Sequence, residues 1–343
     1  LELALHLTEL GDLNLGYLTK AERGYALAQP SLQPRAGWAD KKGFAHDITV
    51  PGMFDAILNS TLEHLRANEL AVAAGHPEGV HQARIAIRRL RVALWAFRRA
   101  LPKAERKSFN QEFRWFQRQL SPARDWHVFV EETVPTVLSA HPGRRAATAR
   151  LRIAAHKECR RVTDDITGLF RDVRYTRLIL RFTLWMAGQK ASMEHSLAAQ
   201  PVTEFAAFIL DESHSMFLSD TRPLSRMSAE NRHSLRKRGK KLRYGCEFFS
   251  SLWPGRNTVT YLRSMKHLQE GLGLINDISV ANHSASVLDP GETESDRWEW
   301  VREWSGMRLV ECLHDTQPKW RKFQRQEPFW RNGSFAGVRS PGG

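Results

Sequence analysis

Cysteine is scarce in this sequence, and long apolar runs are absent from it. Cys159, Cys246 and Cys312 lie far apart, form no Cys-x-x-Cys pair and leave an odd count. This usage excludes a disulfide scaffold and favours a reducing compartment, so we expect a cytoplasmic protein. No apolar run reaches the roughly 20 residues that a membrane-spanning helix needs. We therefore expect no membrane partner.

Sequence motifs of the common enzyme classes are also missing. The chain has no P-loop, no Gly-x-Gly-x-x-Gly, no Gly-x-Ser-x-Gly and no His-Glu-x-x-His. Its 14 histidines form no cluster with cysteine at metal-ligand spacing. We therefore predict no catalytic residue, no cofactor and no metal. The alternation typical of strands is nearly absent as well, which favours an all-α fold.

Positive charge is present in excess and is concentrated in two windows. The chain has 51 Lys and Arg against 37 Asp and Glu, a net charge of +14. Residues 81–128 contain 12 basic and 3 acidic residues, and residues 232–266 contain 10 and 1. The other 260 residues have a net charge of −4. A concentrated cationic field attracts polyanions: nucleic acid, polyphosphate or an anionic membrane surface.

The two basic windows carry one pattern, repeated 152 residues apart. His81-x-x-Arg84-x-x-x-Arg88-Arg89-Leu90-Arg91 returns as His233-x-x-Arg236-x-x-x-Lys240-Lys241-Leu242-Arg243. Gln117-x-x-Leu120 with Asp125 returns as Gln269-x-x-Leu272 with Asp277. Aligned without a gap, residues 81–128 and 233–280 share 10 identities in 48 positions. We interpret this register as an internal duplication.

On a helix, this pattern separates cationic from apolar side chains. The basic residues at spacings of three and four fall within an arc of about 80°. Ala83, Ile87, Leu90, Leu94 and Phe97 lie opposite them in the first copy, and Leu235, Leu242, Cys246 and Phe249 in the second. Each helix is therefore predicted to bury one face in a core and to present a cationic ridge.

A cation on every turn suits a chain of phosphates, each of which takes charge-assisted hydrogen bonds. The two histidines are expected at the helix starts, where free backbone amides and the helix dipole also favour an anion. The predicted binding residues are His81, Arg84, Arg88, Arg89, Arg91, His233, Arg236, Lys237, Lys240, Lys241 and Arg243. Cations that extend the field are Arg114, Arg118, Arg124, Arg238, Arg263 and Lys266.

Other functions remain open for these two helices. A basic helix is ordinarily a solvated face, although such faces normally mix charges of both signs. A nucleic-acid binder would present aromatic rings beside the ridge for base stacking; Trp95 lies there, but its counterpart is Glu247. A membrane-surface helix would expose Leu90, Leu94 and Phe97, which a folded bundle buries.

Asp125 and Asp277 offer a further chemistry. Together with His81 and His233 they would suit a phosphotransferase or phosphohydrolase, provided that each histidine lies within reach of its aspartate. Their position after a predicted helix break favours a structural role, in which they cap a helix or orient a basic side chain.

Glycine and proline define the expected organisation. Residues 1–50 are broken by seven of them and show no sustained helical period. From Pro51, helices are predicted up to Gly75, from His81 to Leu101, and over 109–120, 124–138, 146–170 and 172–187. A second series covers 202–216, a basic helix ending at Trp253, 258–272, 277–288 and 293–324. We predict two pseudo-symmetric four-helix bundles, at about 51–190 and 200–330, and a disordered tail at 331–343.

The two basic helices, each followed by Gln-x-x-Leu and Asp, resemble the CHAD family over about residues 51–330. Its signature is similar to Gly79-Val80-His81, to Leu242-Arg243-Tyr244, and to the closing Pro328-Phe329-Trp330. The resemblance implies two helical bundles whose basic surface binds inorganic polyphosphate, in an accessory role without catalysis, with polyphosphate granules as a further partner. This sequence departs from the family pattern at Ser121, where glycine is expected.

A second resemblance concerns residues 1–30. Thr19-Lys20-Ala21-Glu22-Arg23-Gly24-Tyr25 is similar to the end of a CYTH domain, a triphosphate-cleaving fold that often precedes CHAD. It implies that Leu1-Glu2-Leu3 ends a strand, that residues 1–50 combine a domain remnant with a linker, and that the parent protein carries a catalytic domain. The Glu-x-Glu-x-Lys signature of that domain is absent here. This chain is therefore not expected to hydrolyse triphosphate.

Overall fold

The computed structural model describes residues 1–11, 13–16, 19–28, 35–40, 43–44, 47–197, 199–288 and 299–331. All regular elements within these ranges are helical. The predicted all-α class is confirmed. The chain divides into two compact units, which are described separately.

Unit 1 comprises residues 1–42, 50–199 and 286–290. Its helices are α1 (Glu2–Leu10), α2 (Lys20–Ala28), α3 (Val50–Arg66), α4 (Glu69–Ala73), α5 (Pro77–Ala96), α6 (Lys103–Val128), α7 (Val134–Ala140), α8 (Arg145–Asp164) and α9 (Val173–Ser196). A π-helical turn, Phe129–Thr133, joins α6 to α7. The basic pattern lies on α5, which packs between α3 and α6.

The apolar face predicted for α5 forms the centre of unit 1. Ala83, Ile87, Leu90, Leu94 and Phe97 are all at most 1% exposed. The Phe97 ring meets that of Phe54 on α3 edge to face, with centroids 5.2 Å apart. Because these apolar side chains are buried within unit 1, they are not available to insert into a membrane.

Unit 2 comprises residues 43–49, 200–285 and 291–343. Its helices are α10 (Val202–Phe217), α11 (Ala229–Phe249), α12 (Arg256–Val287) and α13 (Glu299–Gln324). The second basic pattern lies on α11, which packs on α10. The predicted apolar residues Leu235, Leu242, Cys246 and Phe249 are each 0% exposed. Both basic helices therefore bury the faces that the sequence predicted.

Two predicted helix breaks are wrong. Helix α6 continues through Pro122, and α12 runs unbroken from Arg256 to Val287. Proline removes one backbone donor, but burial of Phe116, Leu120 and Ala123 on a single stripe keeps α6 continuous. Burial also keeps α12 continuous, because Leu268, Leu272 and Ile275 form one buried stripe across the predicted break. Asp125 and Asp277 therefore lie within helices, and neither follows a break.

The first residues also differ from the expectation. Glu2–Leu10 is helix α1, so the strand expected at Leu1-Glu2-Leu3 is wrong, and Lys20–Ala28 is a second helix. A strand needs a partner for its backbone groups, whereas a helix satisfies them within itself. Helix α1 packs on α9, whose Arg177 donates to the backbone oxygen of Thr8.

Several predicted ends lie outside the described residues. The first residues of the helix expected at 293–324 are not described; α13 is described from Glu299. The predicted tail is described only at Arg331. Helix α9 extends past the expected end at 187 to Ser196, because Met193 remains buried at 1% exposure.

Candidate polyanion-binding site

Both basic helices begin with a capping residue that lies five positions before the histidine of the pattern. The His76 Nδ1 atom accepts from the Gly79 amide at 3.4 Å, and the Ser228 hydroxyl accepts from the Asn231 amide at 3.2 Å. His81 and His233 are thus the fifth residues of α5 and α11. They lie beyond the free amides of the first turn, which corrects their expected place at the helix starts.

Arg84 projects from α5 towards α6. Its Nη1 atom lies 3.4 Å from Oδ1 of Asp125, and the side chain is only 16% exposed. Burial lowers the pKa of this guanidinium to about 10; the Asp125 carboxylate opposes the shift, whereas Arg88 and Arg124 add to it. Asp125 thus orients and partly neutralises Arg84, which is the structural role expected for it.

Arg91 donates two hydrogen bonds to side chains of α6. Its Nε atom donates to Oδ1 of Asn110 at 3.0 Å, and its Nη1 atom donates to Oε1 of Gln117 at 2.6 Å. Burial lowers its pKa, and repulsion from Arg114, Arg88 and Arg118 lowers it further. The part played by Asn110 was not predicted, because asparagine on a surface helix gives no distinctive sequence signal.

These contacts bring cations of two helices together on unit 1. We call this group the arginine cluster; its members are Arg84, Arg88, Arg91, Arg114, Arg118 and Arg124. Arg114 and Arg118 are exposed, and Arg88 is half-buried. Arg124 lies 3.8 Å from Glu132 of the π-helical turn. The three cations from α6 had been predicted only to extend the field, yet they form half of the cluster.

Arg89 lies apart from this cluster. Burial lowers the pKa of His64 on α3, and Arg89 lowers it further, so the guanidinium is near α3. His81 is half-buried on α5. Of the first predicted set, Arg84, Arg88 and Arg91 therefore interact electrostatically with the cations of the cluster. Arg89 interacts instead with His64 of α3.

In unit 2, the histidine of the pattern contacts an asparagine. Nδ1 of His233 lies 2.9 Å from Oδ1 of Asn276, whose amide donates to Asp277 at 3.3 Å. Nη2 of Arg236 lies 3.9 Å from Oδ1 of Asp277, and the Arg236 side chain is 18% exposed. Asp277 thus serves Arg236 as Asp125 serves Arg84, although at a longer distance.

The remaining basic residues of α11 are arranged differently from those of α5. Nε of Arg243 lies 3.2 Å from Oε1 of Glu247 on its own helix, and its guanidinium lies 4.9 Å from the Tyr244 ring centroid. Lys237 is exposed, whereas Lys240 and Lys241 are half-buried. Arg238 donates to the Ser219 hydroxyl at 2.7 Å.

Two expectations about the site need correction. The predicted cationic ridges would leave Arg84 and Arg236 exposed, but both side chains are mostly buried, because each reaches across to an aspartate of the next helix. A phosphohydrolase would need each histidine to pair with its aspartate. In the second copy, however, His233 contacts Asn276.

The residues that the structure describes offer neither a metal site nor a membrane-spanning helix. There, no three or more His, Cys, Asp or Glu side chains gather as metal ligands would, and all three cysteines are free thiols. In that part of the chain no helix combines the length and the apolar character needed to cross a bilayer.

Comparison with known proteins identifies the family. The sequence model of the CHAD domain matches residues 56–286. The chain belongs to the CHAD family. This family is linked to polyphosphate binding. A comparison with curated proteins gave no significant match.

Two solved structures share the fold. The crystal structure of the CHAD domain from the plant Ricinus communis matches with a TM-score of 0.72 and 25% identity, over 84% of this chain and 96% of that one. PptA from Streptomyces chartreusis matches with a TM-score of 0.55 and 14% identity, over 83% of this chain and all of the other. The second likeness concerns the fold alone.

Proposed function

We propose that this CHAD chain binds inorganic polyphosphate through the cationic faces of α5 and α11, as an accessory module without turnover. The predicted residues on α5 and α11 are joined in this role by Arg114, Arg118 and Arg124 of α6. Binding is electrostatic, and it is completed by hydrogen bonds from guanidinium and ammonium groups to phosphate oxygens.

The arginine cluster is the observation that carries this proposal. Six guanidiniums gather on unit 1; repulsion from Arg114, Arg88 and Arg118 lowers the pKa of Arg91 beyond the effect of burial, and Arg88 and Arg124 act in the same direction on Arg84, where Asp125 opposes them. Two carboxylates lie beside this cluster: Asp125 against Arg84, and Glu132 at 3.8 Å from Arg124. A polyanion with closely spaced phosphates relieves this repulsion, because it supplies several negative charges at once.

The same geometry favours polyphosphate over the two main rivals. Single-stranded nucleic acid is held by aromatic rings on which bases stack. Trp95 beside the first face is half-buried under the guanidinium of Arg98, 4.3 Å from its ring centroid, and the second face has Glu247 in its place. A phosphohydrolase needs a base beside its reacting group, whereas Asp125 and Asp277 both lie against arginines.

The test is competitive binding at physiological salt. Labelled long-chain polyphosphate is challenged with equal phosphate concentrations of single-stranded DNA, RNA, heparin and short polyphosphate. We expect long polyphosphate to compete best. Equal competition by nucleic acid would mean general polyanion binding, and release of phosphate during the assay would contradict the non-catalytic role.

A variant makes this test specific to the two faces. Changing Arg88, Arg118, Lys237 and Lys240 to Ala is expected to lower the slope of log Kd against log salt by about four, because each lost phosphate contact removes about one unit. The matched control changes four exposed cations elsewhere: Arg181, Arg256, Lys319 and Arg321. If both variants lose the same affinity, only net charge matters and the faces are not a site.

A further inference from the structure

Helix α8 of unit 1 has an exposed cationic face that the proposed site does not include. Its outward residues are Arg145, Arg150, Arg152, His156, Lys157 and Arg160, all exposed. They lie within an arc of about 160°, and Arg152, His156 and Arg160 repeat at every fourth residue, which places one basic group on each turn, about 6 Å apart along the axis. We call this set the α8 face.

The cations of the α8 face outnumber the carboxylates beside them: Glu158 acts electrostatically on Lys157, but its hydrogen bonds are made with Arg161. Within the part of the chain that the structure describes, Arg145, Arg150, Arg152, Lys157 and Arg160 form no ion pair. The two carboxylates that pair on this side, Glu158 and Asp165, are both engaged by Arg161, at 2.5 and 3.0 Å. A shallow groove is lined by Arg152, Lys157 and Arg160, and the carboxylate among its lining residues is that of Asp164.

Folding does not require this charge. Residues 151–166 and 301–316 have the same sequence of buried, intermediate and exposed positions, residue for residue. In α13 of unit 2, however, the places of His156, Lys157 and Arg160 are taken by Gly306, Met307 and Val310, while Arg152 has a counterpart in Arg302. A helix with this burial pattern thus forms with fewer cations on its outer face. Arg145, in the first turn of α8, even opposes the helix dipole.

The kind of partner follows from what the α8 face lacks. Protein interfaces are centred on buried aromatic and apolar anchors, whereas this face offers Ile153 alone, 69% exposed. A membrane would need the apolar side of α8, yet Leu151 and Ala155 are 0% exposed within unit 1. Residues 143–165 include no Phe, Tyr or Trp on which bases could stack. Phosphate oxygens remain as the matching chemistry.

We propose that the α8 face is a second polyphosphate-binding surface on unit 1, which a long phosphate chain occupies in addition to the faces of α5 and α11. This inference rests on the proposed function, because it takes the same ligand class. It explains a preference for long chains through multivalency, since each added surface raises the affinity of a chain that reaches it.

Lysine reactivity tests this placement directly. Lys157 is the lysine of the α8 face, Lys237 reports on α11, and Lys319 is an exposed lysine outside both. The full chain is treated with an amine-acetylating reagent with and without long-chain polyphosphate, and each site is quantified by mass spectrometry. We expect protection of Lys157 and Lys237 and no protection of Lys319.

Each other outcome is decisive. If Lys237 is protected while Lys157 stays reactive, the α8 proposal is overturned and the proposed function stands. If no lysine is protected, both are overturned. If Lys319 is protected as strongly as Lys157, polyphosphate coats the protein and α8 is no special surface. Protection of Lys157 by nucleic acid but not by polyphosphate would overturn the assigned occupant.

A variant gives an independent measure. Changing Arg152, Lys157 and Arg160 to Ala is expected to reduce the salt slope for long polyphosphate by about three, with helix content unchanged because alanine favours helices. The control changes Arg181, Arg256 and Lys319 to Ala. Equal slopes for the variant and the unaltered chain, or for the variant and the control, would overturn the proposal.

Discussion

The two copies of the basic pattern use the same residue in opposite ways. Arg91 of unit 1 reaches across to Asn110 and Gln117 on the neighbouring helix. Its counterpart Arg243 stays on its own helix beside Glu247. As a result Gln269, the counterpart of Gln117, is 5% exposed and neither of its amide atoms has a hydrogen-bond partner in the structure. The first face is held in place by α6, whereas the second is partly occupied by a carboxylate.

Two sequence differences accompany this change: Asn110, an acceptor of Arg91, is replaced by Leu262 in the second copy, and a glutamate is introduced beside Arg243. Position 95 is Trp in the first copy, and the matching position 247 is Glu in the second. On a helix, side chains four residues apart are neighbours, so the carboxylate of Glu247 can pair with the guanidinium of Arg243. The comparison shows that a repeated cationic pattern does not guarantee two equivalent binding faces, because single neighbours decide where each guanidinium points.

The largest expected effect concerns Arg91, which is hydrogen-bonded to α6. Replacing Arg91 with Ala should lower the free energy of unfolding by about 1–3 kcal/mol, because two hydrogen bonds are lost and the Gln117 amide is left without its donor. Replacing Arg243 with Ala should cost less than about 1 kcal/mol, as for other partly exposed ion pairs. Urea unfolding of both variants measures the two costs. Equal costs would contradict the assigned asymmetry.

The paired glutamines should respond with opposite signs. Changing Gln117 to Leu removes the acceptor of Arg91 and should destabilise the chain by about 1–2 kcal/mol. Changing Gln269 to Leu removes two buried polar atoms that have no partner, so stability should stay the same or rise. Thermal unfolding of the two variants tests this contrast. A clear loss for Gln269→Leu would show that its amide is satisfied in solution.

Each unit buries a neutral histidine whose pKa is lowered to about 4; His64 is a further buried histidine of unit 1, and its pKa is lowered as well. Burial lowers the pKa of His127, which contacts the Thr163 hydroxyl at 3.0 Å, to about 4; Arg124 and His76 add to this shift. Burial likewise lowers the pKa of His214 to about 4, with Arg331 adding and Asp211 opposing.

Because both folded-state pKa values lie below the ordinary 6.5, the unfolded chain takes up protons first as the pH falls. Stability should therefore decrease from about pH 6.5 towards pH 4. Changing His127 to Gln, or His214 to Phe, should each flatten this dependence between pH 7 and pH 5, as measured by urea unfolding. His214→Phe should cost less at pH 7, because the ring already packs against Trp330, with centroids 5.8 Å apart. Unchanged pH dependence in both variants would contradict the burial of His127 and His214 as neutral imidazoles.

The smallest expected effect tests the occupied second face. Changing Glu247 to Gln should release Arg243 towards ligand, raising polyphosphate affinity and steepening the salt slope by about one. Glu270→Gln is the matched control, since Glu270 pairs with Lys266 at 3.8 Å at another exposed site of unit 2. If both variants gain affinity equally, the change reflects net charge and the Arg243–Glu247 pair does not limit binding.

Much of the fold was predictable from periodicity, and the misses have physical causes. The buried faces of α5 and α11 followed from apolar spacing at Leu90, Phe97, Leu242 and Phe249, because a helix must bury its apolar stripe. Pro122 misled the prediction, since tertiary packing on both sides of it outweighs one lost hydrogen bond. The internal duplication stays a prediction, although α5 and α11 have caps and aspartate partners at matching positions.

The site was predicted less completely than the fold. Residue type and spacing identified the cations of α5 and α11, but the arginine cluster depends equally on α6. The position of Arg89 near His64 shows why: adjacent residues on a helix point about 100° apart, and neighbours in space decide which of them joins a cluster.

The all-α class, the CHAD resemblance and the two places where positive charge concentrates are evident from the residues alone. They depend on composition and on local periodicity, which do not require knowledge of neighbours in space. The contacts of Arg84 and Arg91 with α6, the pairing of Arg243 with Glu247 and the lack of ion pairs for the arginines and Lys157 on the outer face of α8 within the described residues became evident only from the packing of the helices. Those outcomes depend on distances between helices, and hydrogen bonds and charge pairs act only over a few ångströms.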